Sequence, residues 1–534
     1  MKVPLPVSAS PSPRSAFPTA ILVAGVIFVA GWPMTLPAGT PTPTPTPPWP
    51  GVPVVQPTIP PDSRGTSQSA FNNLAWQQFI ALNWVADPNS PGQPDPKVPP
   101  SAFGTQLDSR PLVWESFKEA SEVFQPNATP PTSWKAARML PSALSAPAGK
   151  AKLKATSKLG VKGLFAVSKF TGGPQLDLSE FGEAFTGGSW LTAQARMNNY
   201  ITLYEKRLNP DEFNYINTNH LYNAAVQSPF ALNPGLNLPD GSATFSQYGT
   251  TGAIEIKAAW IELDDKALWP LFKISQAYVS YPSAKGPTPP KLVTVGLVGL
   301  HIIRKTPNAQ QFIWSTFEHV NNAPSVTDIQ NKTLKAWYTY YNPACNPATD
   351  PYQCVQNYQP VPCTPSPCTN PYGAPVQVVR TTPISTSTSN NIAQLNTNTW
   401  TTIAAANPKS VFLNYQLVNV LWPNDNTSIP AGATVPLTDG NATPKQSQQP
   451  VANTVLETYH QNLNCLACHT FAPVASTAST KTAITVKAPL RSAGVTPAVQ
   501  ASPTPPPALA SDYSFLFSEA QMPPPSPTPA AAKP

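Results

Sequence analysis

The sequence predicts an α+β fold: a large body built of helices and an antiparallel sheet, a thin C-terminal arm, and Pro-rich termini without order of their own. Three observations predict it. Phe71, Leu74, Ala75, Phe79, Ile80 and Leu82 recur at three- and four-residue spacing, as on one face of a helix. Long apolar runs in the middle of the chain read as strands, two of them separated by the turn signal Lys305-Thr306-Pro307-Asn308. The 70 prolines cluster towards the two ends of the 534-residue chain.

Residues 1–40 read as an export segment, either a signal peptide or an N-terminal anchor. Lys2 and Arg14 are the only charges before Asp62. The apolar run Thr19 to Gly31 has 13 residues, the size of a signal-peptide core and short of the roughly 20 that a membrane span needs. Small residues at Ala38-Gly39 offer a cleavage point. Residues 41–66 form a Pro/Thr-rich linker, expected to be an extended spacer. The α+β body spans 67–445. It opens on the helix just described, with N-cap candidates at Ser67 to Ser69, and Leu112 to Lys118 is expected to begin a second helix. Ala253 to Leu263 alternates in part. Leu292 to Ile303 is apolar on both faces, as a central covered strand should be. Phe312 to Val320 follows it as the second arm of a hairpin, and Val411 to Trp422 is a further strand.

With 33 basic and 26 acidic residues the formal charge is +7, and only 11% of residues are charged. No long Lys/Arg run or binding motif points to nucleic acid. The basic stretch Lys150, Lys152, Lys154, Lys158 and Lys162 reads as a solvated face, or as a docking patch for an acidic redox partner. Cys345, Cys354, Cys363 and Cys368 lie within 24 residues, in a loop at 345–368. Their spacing lacks the paired knuckles of a zinc site, so in an oxidising compartment they are expected to form two disulfides, of any of three connectivities.

The arm, residues 446–522, carries the chemistry. Cys465-Leu466-Ala467-Cys468-His469 is C-x-x-C-H, the attachment signature of c-type haem. Two thiols at this spacing add to the two vinyl groups on one porphyrin edge, and the following His turns its imidazole onto the iron. The expected cofactor is therefore one covalent haem c, held by Cys465, Cys468 and His469, with His469 the proximal ligand. The segment 470–510 is rich in Ala, Thr, Ser and Pro and too poor in large apolar groups to wrap a porphyrin. An apolar island at Tyr513 to Phe517 looks built to return to the body, where the haem must find its walls. Residues 523–534 form a Pro-rich tail, expected to be disordered.

Through these residues the chain resembles exported c-type cytochromes, in particular large single-haem bacterial proteins of that kind. Val455 to Tyr459 looks helical, and compact class I cytochromes c likewise place a helix before the motif. The resemblance covers Cys465, Cys468 and His469 and implies a location outside the cytoplasm: periplasmic, secreted or membrane-anchored through the N-terminal segment.

The sixth iron ligand decides the chemistry, because a Met or second His makes a carrier and an open position permits peroxide or oxygen chemistry. Met522 precedes Pro523-Pro524, as in a common bacterial pattern, and lies 53 residues after His469; Met139 and Met197 are further candidates. Among histidines, His319 and His301 belong to the hairpin. If paired residues sum to 615, His301 faces Trp314, His319 lies opposite Gly296, and the two point to opposite faces. The room beside Gly296 favours His319. His220 reads as a surface residue, and His460 is too near His469 in sequence to reach the far haem face. The leading expectation is an exported electron-transfer protein served by a redox partner protein. The alternatives are a haem-dependent peroxidase or oxygenase with an open iron position, and a cell-surface binding protein with a secondary haem.

Overall fold

The computed structural model describes residues 51–105, 110–136, 161–164, 202–279, 289–346, 348–349, 354–357, 377–423, 427–437, 450–458, 460–475 and 507–525. Residues 1–50, expected above to direct export and to begin the linker, Lys150 to Lys158, Met139, Met197, Cys363, Cys368, most of the low-complexity stretch after the motif and the last nine residues lie outside them.

Helix α1, Gln68–Leu82, begins where Ser67 accepts a hydrogen bond from the backbone of Ala70. Among the described residues the main sheet has eight strands: β1 Lys118–Glu119, β2 Val161–Leu164, β3 Leu203–Leu208, β4 Ile254–Glu262, β5 Ile274–Val279, β6 Lys291–Thr306, β7 Ala309–His319 and β8 Tyr415–Leu421. Its main path runs β8-β7-β6-β4-β3-β1. The 16-residue β6 is the spine. One edge pairs with β4, while the other is shared in tandem by β5 and β7. All pairings are antiparallel except β2 with β5. Two short helices, α2 Pro210–Thr218 and α3 Ala224–Leu232, follow β3; α4, Ile392–Ala406, precedes β8.

The sheet is covered on both faces, which is why β6 and β7 are buried along almost their whole length. On the first face Phe71, Trp76 and Phe79 of α1 and Ile403 of α4 pack with Ile302, Ile313, Phe317 and Leu417. On the second, Ile303, Phe312 and Trp314 pack with the C-terminal arm through Val451, Leu466, Val474, Tyr513 and Phe517. The island at 513–517 thus lies against the body. The arm packs tightly against Gly299 of β6, where a Cβ would meet Val455 Cγ2 at 2.6 Å.

Several elements differ from the sequence reading. Leu112 to Lys118 forms a single 3₁₀ turn at Trp114–Ser116 and then enters β1. The backbone carbonyls of Glu115 and Phe117 accept hydrogen bonds from the buried Arg207 guanidinium at 3.2 and 2.9 Å, so they are turned away from a continuing helix. Val411–Asn414 is also a 3₁₀ turn, and the strand starts only at Tyr415. The described part of Val455 to Tyr459 is a turn, because Glu318 captures the Thr454 N–H at 2.9 Å and Asn453 accepts that of Val455 at 3.0 Å. The described half of the Pro/Thr tract is docked: Gln77 clasps the backbone of Val54 from both sides, and Val55 enters the core.

Lys162 is the sharpest departure. It belongs neither to a solvated face nor to a docking patch. Fully buried on β2, it donates to Glu115 and Glu205, each at 2.9 Å, and lies 4.0 Å from the centre of the Trp260 ring. Burial pulls its ammonium below the usual lysine range against the pull of both carboxylates. One disulfide joins Cys345 and Cys354. No helix among the described residues is long and apolar enough to cross a membrane.

Candidate haem site

The motif forms its own helical turn, α5, Cys465–His469. Asn464 caps it in extended conformation, its side chain accepting the Ala467 N–H at 3.0 Å. At the other end Thr470 donates its hydroxyl to the Leu466 carbonyl at 2.8 Å. Helical spacing places Cys465 beside Cys468 and beside His469. Leu466 points the other way and is buried in the second-face core. The turn is therefore anchored through Leu466 while its reactive side stays accessible: Cys465 is half-buried and Cys468 exposed, both as thiols. Burial pushes the Cys465 thiol well above its ordinary range, and the nearby Glu457 carboxylate adds to the shift. The sulfur is kept neutral.

His469 is aimed by a second segment of the arm. Its Nδ1 donates to the backbone carbonyl of Tyr513 at 2.7 Å. A carbonyl can only accept, so Nδ1 carries the proton and the lone pair sits on Nε2, the tautomer an iron ligand needs. The acceptor is held in an unusual backbone. Asp512 and Tyr513 both have positive φ, at 56° and 66°, a left-handed conformation that non-glycine residues adopt only when their surroundings impose it. Here the surroundings do. Asp512 Oδ2 accepts from the Leu238 N–H at 2.7 Å and from Lys305 Nζ at 2.5 Å. Tyr513 donates its hydroxyl to Gln311 Oε1 at 2.8 Å, and Ser511 donates its own to the Ser514 carbonyl at 2.6 Å.

Two aromatic rings flank the imidazole. Phe515 approaches edge-on with ring centres 5.1 Å apart, and Trp314 of β7 stands 5.6 Å away. The Trp314 indole N–H is buried and meets no hydrogen-bond acceptor among the described residues. Two free thiols, an imidazole of fixed tautomer and an apolar aromatic flank with an orphaned donor make a set that fits a covalently attached haem. The residues that would hold it are Cys465, Cys468 and His469, with Trp314 and Phe515 at its edge.

The hairpin histidines fall elsewhere. Through the shared stretch of β6 and β7 paired residues sum to 617, so His301 faces Thr316; only beyond a bulge at Arg304 does the sum become 615, at Thr306 and Ala309. Both sums are odd and the two histidines do point to opposite faces. His319 is stacked on Phe272 with ring centres 4.2 Å apart. Both its nitrogens are engaged, Nε2 donating to the Leu271 carbonyl at 2.9 Å and Nδ1 accepting the Asn321 N–H at 3.1 Å. The room expected beside Gly296 is filled: a Cβ there would meet Leu263 at 2.4 Å. His301 does face the arm, where its Nε2 meets Glu457 Oε1 at 2.7 Å. His220 is exposed, beside the Tyr222 hydroxyl. Met522 is 43% exposed, next to Gln521, which bridges to Asn223. Sequence reading missed Trp314 and the Tyr513 carbonyl. An aromatic in a strand core and a backbone oxygen leave no pattern that singles them out. Comparison of the chain with known protein families, with characterised proteins and with solved structures returns no match.

Proposed function

We propose that this chain is an exported haem c protein that transfers electrons, with one haem bound through Cys465 and Cys468 and ligated by His469. The observation that carries the reading is the Nδ1 hydrogen bond from His469 to the Tyr513 carbonyl, because it presets the imidazole tautomer before any cofactor arrives. A bound haem c supplies a one-electron iron couple. The chain's own contribution is positional. Leu466 fixes the motif turn to the body, the left-handed turn at Asp512 and Tyr513 aims the imidazole, and Trp314 and Phe515 exclude water from its flank. Cys468 stays at the surface, which leaves the attachment edge close to an incoming redox partner. A site that exposes this edge and buries the histidine's support suits outer-sphere exchange with another protein.

The test is the resting and ligand-binding spectrum of the purified ferric protein. An electron carrier is low-spin and indifferent to cyanide. A high-spin spectrum that shifts on cyanide addition would overturn the carrier reading and establish an open iron position, the setting for peroxide or oxygen chemistry.

A further inference from the structure

Behind the turn that aims His469 lies a buried group of acids that the proposed electron transfer does not require. Glu212 stands in the first turn of α2 and Glu255 near the start of β4. The chain brings them together because α2 begins directly after β3, whose Leu208 pairs with Glu255. Glu212 is fully buried and Glu255 nearly so. Neither carboxyl oxygen of Glu212 receives a hydrogen bond from an N–H or hydroxyl among the described residues, and its polar neighbour is the Glu255 carboxyl. Two buried carboxyls in that position satisfy each other only by sharing a proton, since two unscreened negative charges in contact are prohibitively costly.

The pair is joined to the haem site through the arm. Glu255 accepts a hydrogen bond from the side chain of Ser514, and Asp512, two residues earlier, is paired with Lys305. Between them sits Tyr513, whose carbonyl holds His469. The groups facing the pair are thus Asp512 and Ser514 from the arm, Lys305 from β6, and Lys206 from β3, itself paired with Glu519.

We infer that Glu212 and Glu255 form a proton-sharing pair that acts as a redox-linked positioning unit for His469, releasing a proton when the iron is oxidised and taking one up when it is reduced. This rests on the haem reading above. One electron gained by a bound haem would be matched by one proton taken up from solvent by the pair, so the charge of haem and pair together would be unchanged. Burial, opposed by the Ser514 and Glu212 hydrogen bonds, raises the Glu255 carboxyl to about 7. Burial and the Glu255 charge push Glu212 well above the ordinary carboxylate range. The exchangeable proton therefore belongs to the neutral pH region. As pH rises through it, the pair gains negative charge, which favours the ferric iron and lowers the midpoint potential.

Two readouts on the full-length protein test this. Infrared spectroscopy should show a protonated carboxyl band at neutral pH that shifts in deuterated water and changes frequency in both Glu255→Gln and Glu212→Gln. Absence of such a band, or a band left unmoved by both substitutions, overturns the shared proton. Spectroelectrochemical titration should show a midpoint that falls with rising pH around neutrality and is flat in Glu255→Gln, or in Glu212→Gln if the first variant does not fold. An unchanged slope in a folded variant overturns the redox link. A chain that carries no haem overturns the haem reading and the redox link with it, while the infrared band still decides whether the proton is shared.

Discussion

Gly299→Ala tests whether the C-terminal arm that carries the C-x-x-C-H turn is packed into the body rather than resting on it. Gly299 lies mid-strand in β6, and a Cβ built there meets Val455 Cγ2 at 2.6 Å and the Asn453 amide at 3.3 Å. Carbon atoms prefer about 3.5–4.0 Å, so the overlap with Val455 is about 1 Å. Neither side can yield easily. Val455 is fully buried, and the Asn453 amide donates to the Thr316 hydroxyl at 3.1 Å and to the Phe317 carbonyl at 2.7 Å. Overpacking of this kind costs about 1–3 kcal/mol, against a gain of up to about 1 kcal/mol from the stiffer unfolded chain. The net expectation is a loss of about 1–2 kcal/mol, read as a lower urea midpoint in tryptophan fluorescence, with faster proteolysis within residues 450–475. Val455→Ala alone should cost about 2 kcal/mol for its buried methyls. In the double variant the two losses should not add, because the smaller side chain removes the clash. A Gly299→Ala protein as stable as the parent, or a penalty that persists undiminished beside Ala at 455, would refute the packing argument.

Two further outcomes follow from the buried charges. Burial lowers the His319 imidazole from 6.5 to about 3, so the unfolded chain binds a proton that the folded one refuses. Stability is complete above pH 6.5 and falls as pH drops towards 3, and His319→Leu should flatten that slope in acid denaturation curves. Lys162→Met should cost about 3 kcal/mol in urea unfolding, because Glu115 and Glu205 are left buried with one cation fewer; a neutral effect would show that Lys273 and Arg207 suffice for them.

What could be read from the chain was what periodicity or fixed spacing carries. The α1 pattern, the β6–β7 hairpin and the C-x-x-C-H turn each depend on residue types at short, regular intervals. Elements fixed by distant partners were illegible. Leu112 to Lys118 has a helical look, yet Arg207, some 90 residues away, takes its carbonyls. Lys162 closes a basic stretch in sequence and is internal in space, because carboxylates from β3 and from the turn before β1 surround it. In the site, the motif named its own three residues. The groups that orient His469 come from a turn 44 residues on, whose left-handed backbone at Asp512 and Tyr513 is imposed by Lys305, Leu238 and Gln311 and is announced by no glycine. The hairpin register slipped from the expected sum by a bulge, which short-range patterns do not reveal.

The most direct test of the central claim is the intact mass of the full chain produced with a cytochrome c maturation system and measured under denaturing conditions. The account predicts the mass of the chain plus one haem, resistant to acid–acetone extraction, and absent from the Cys465→Ser/Cys468→Ser variant. A bare-chain mass, or haem that extracts freely from the unsubstituted protein, would contradict it.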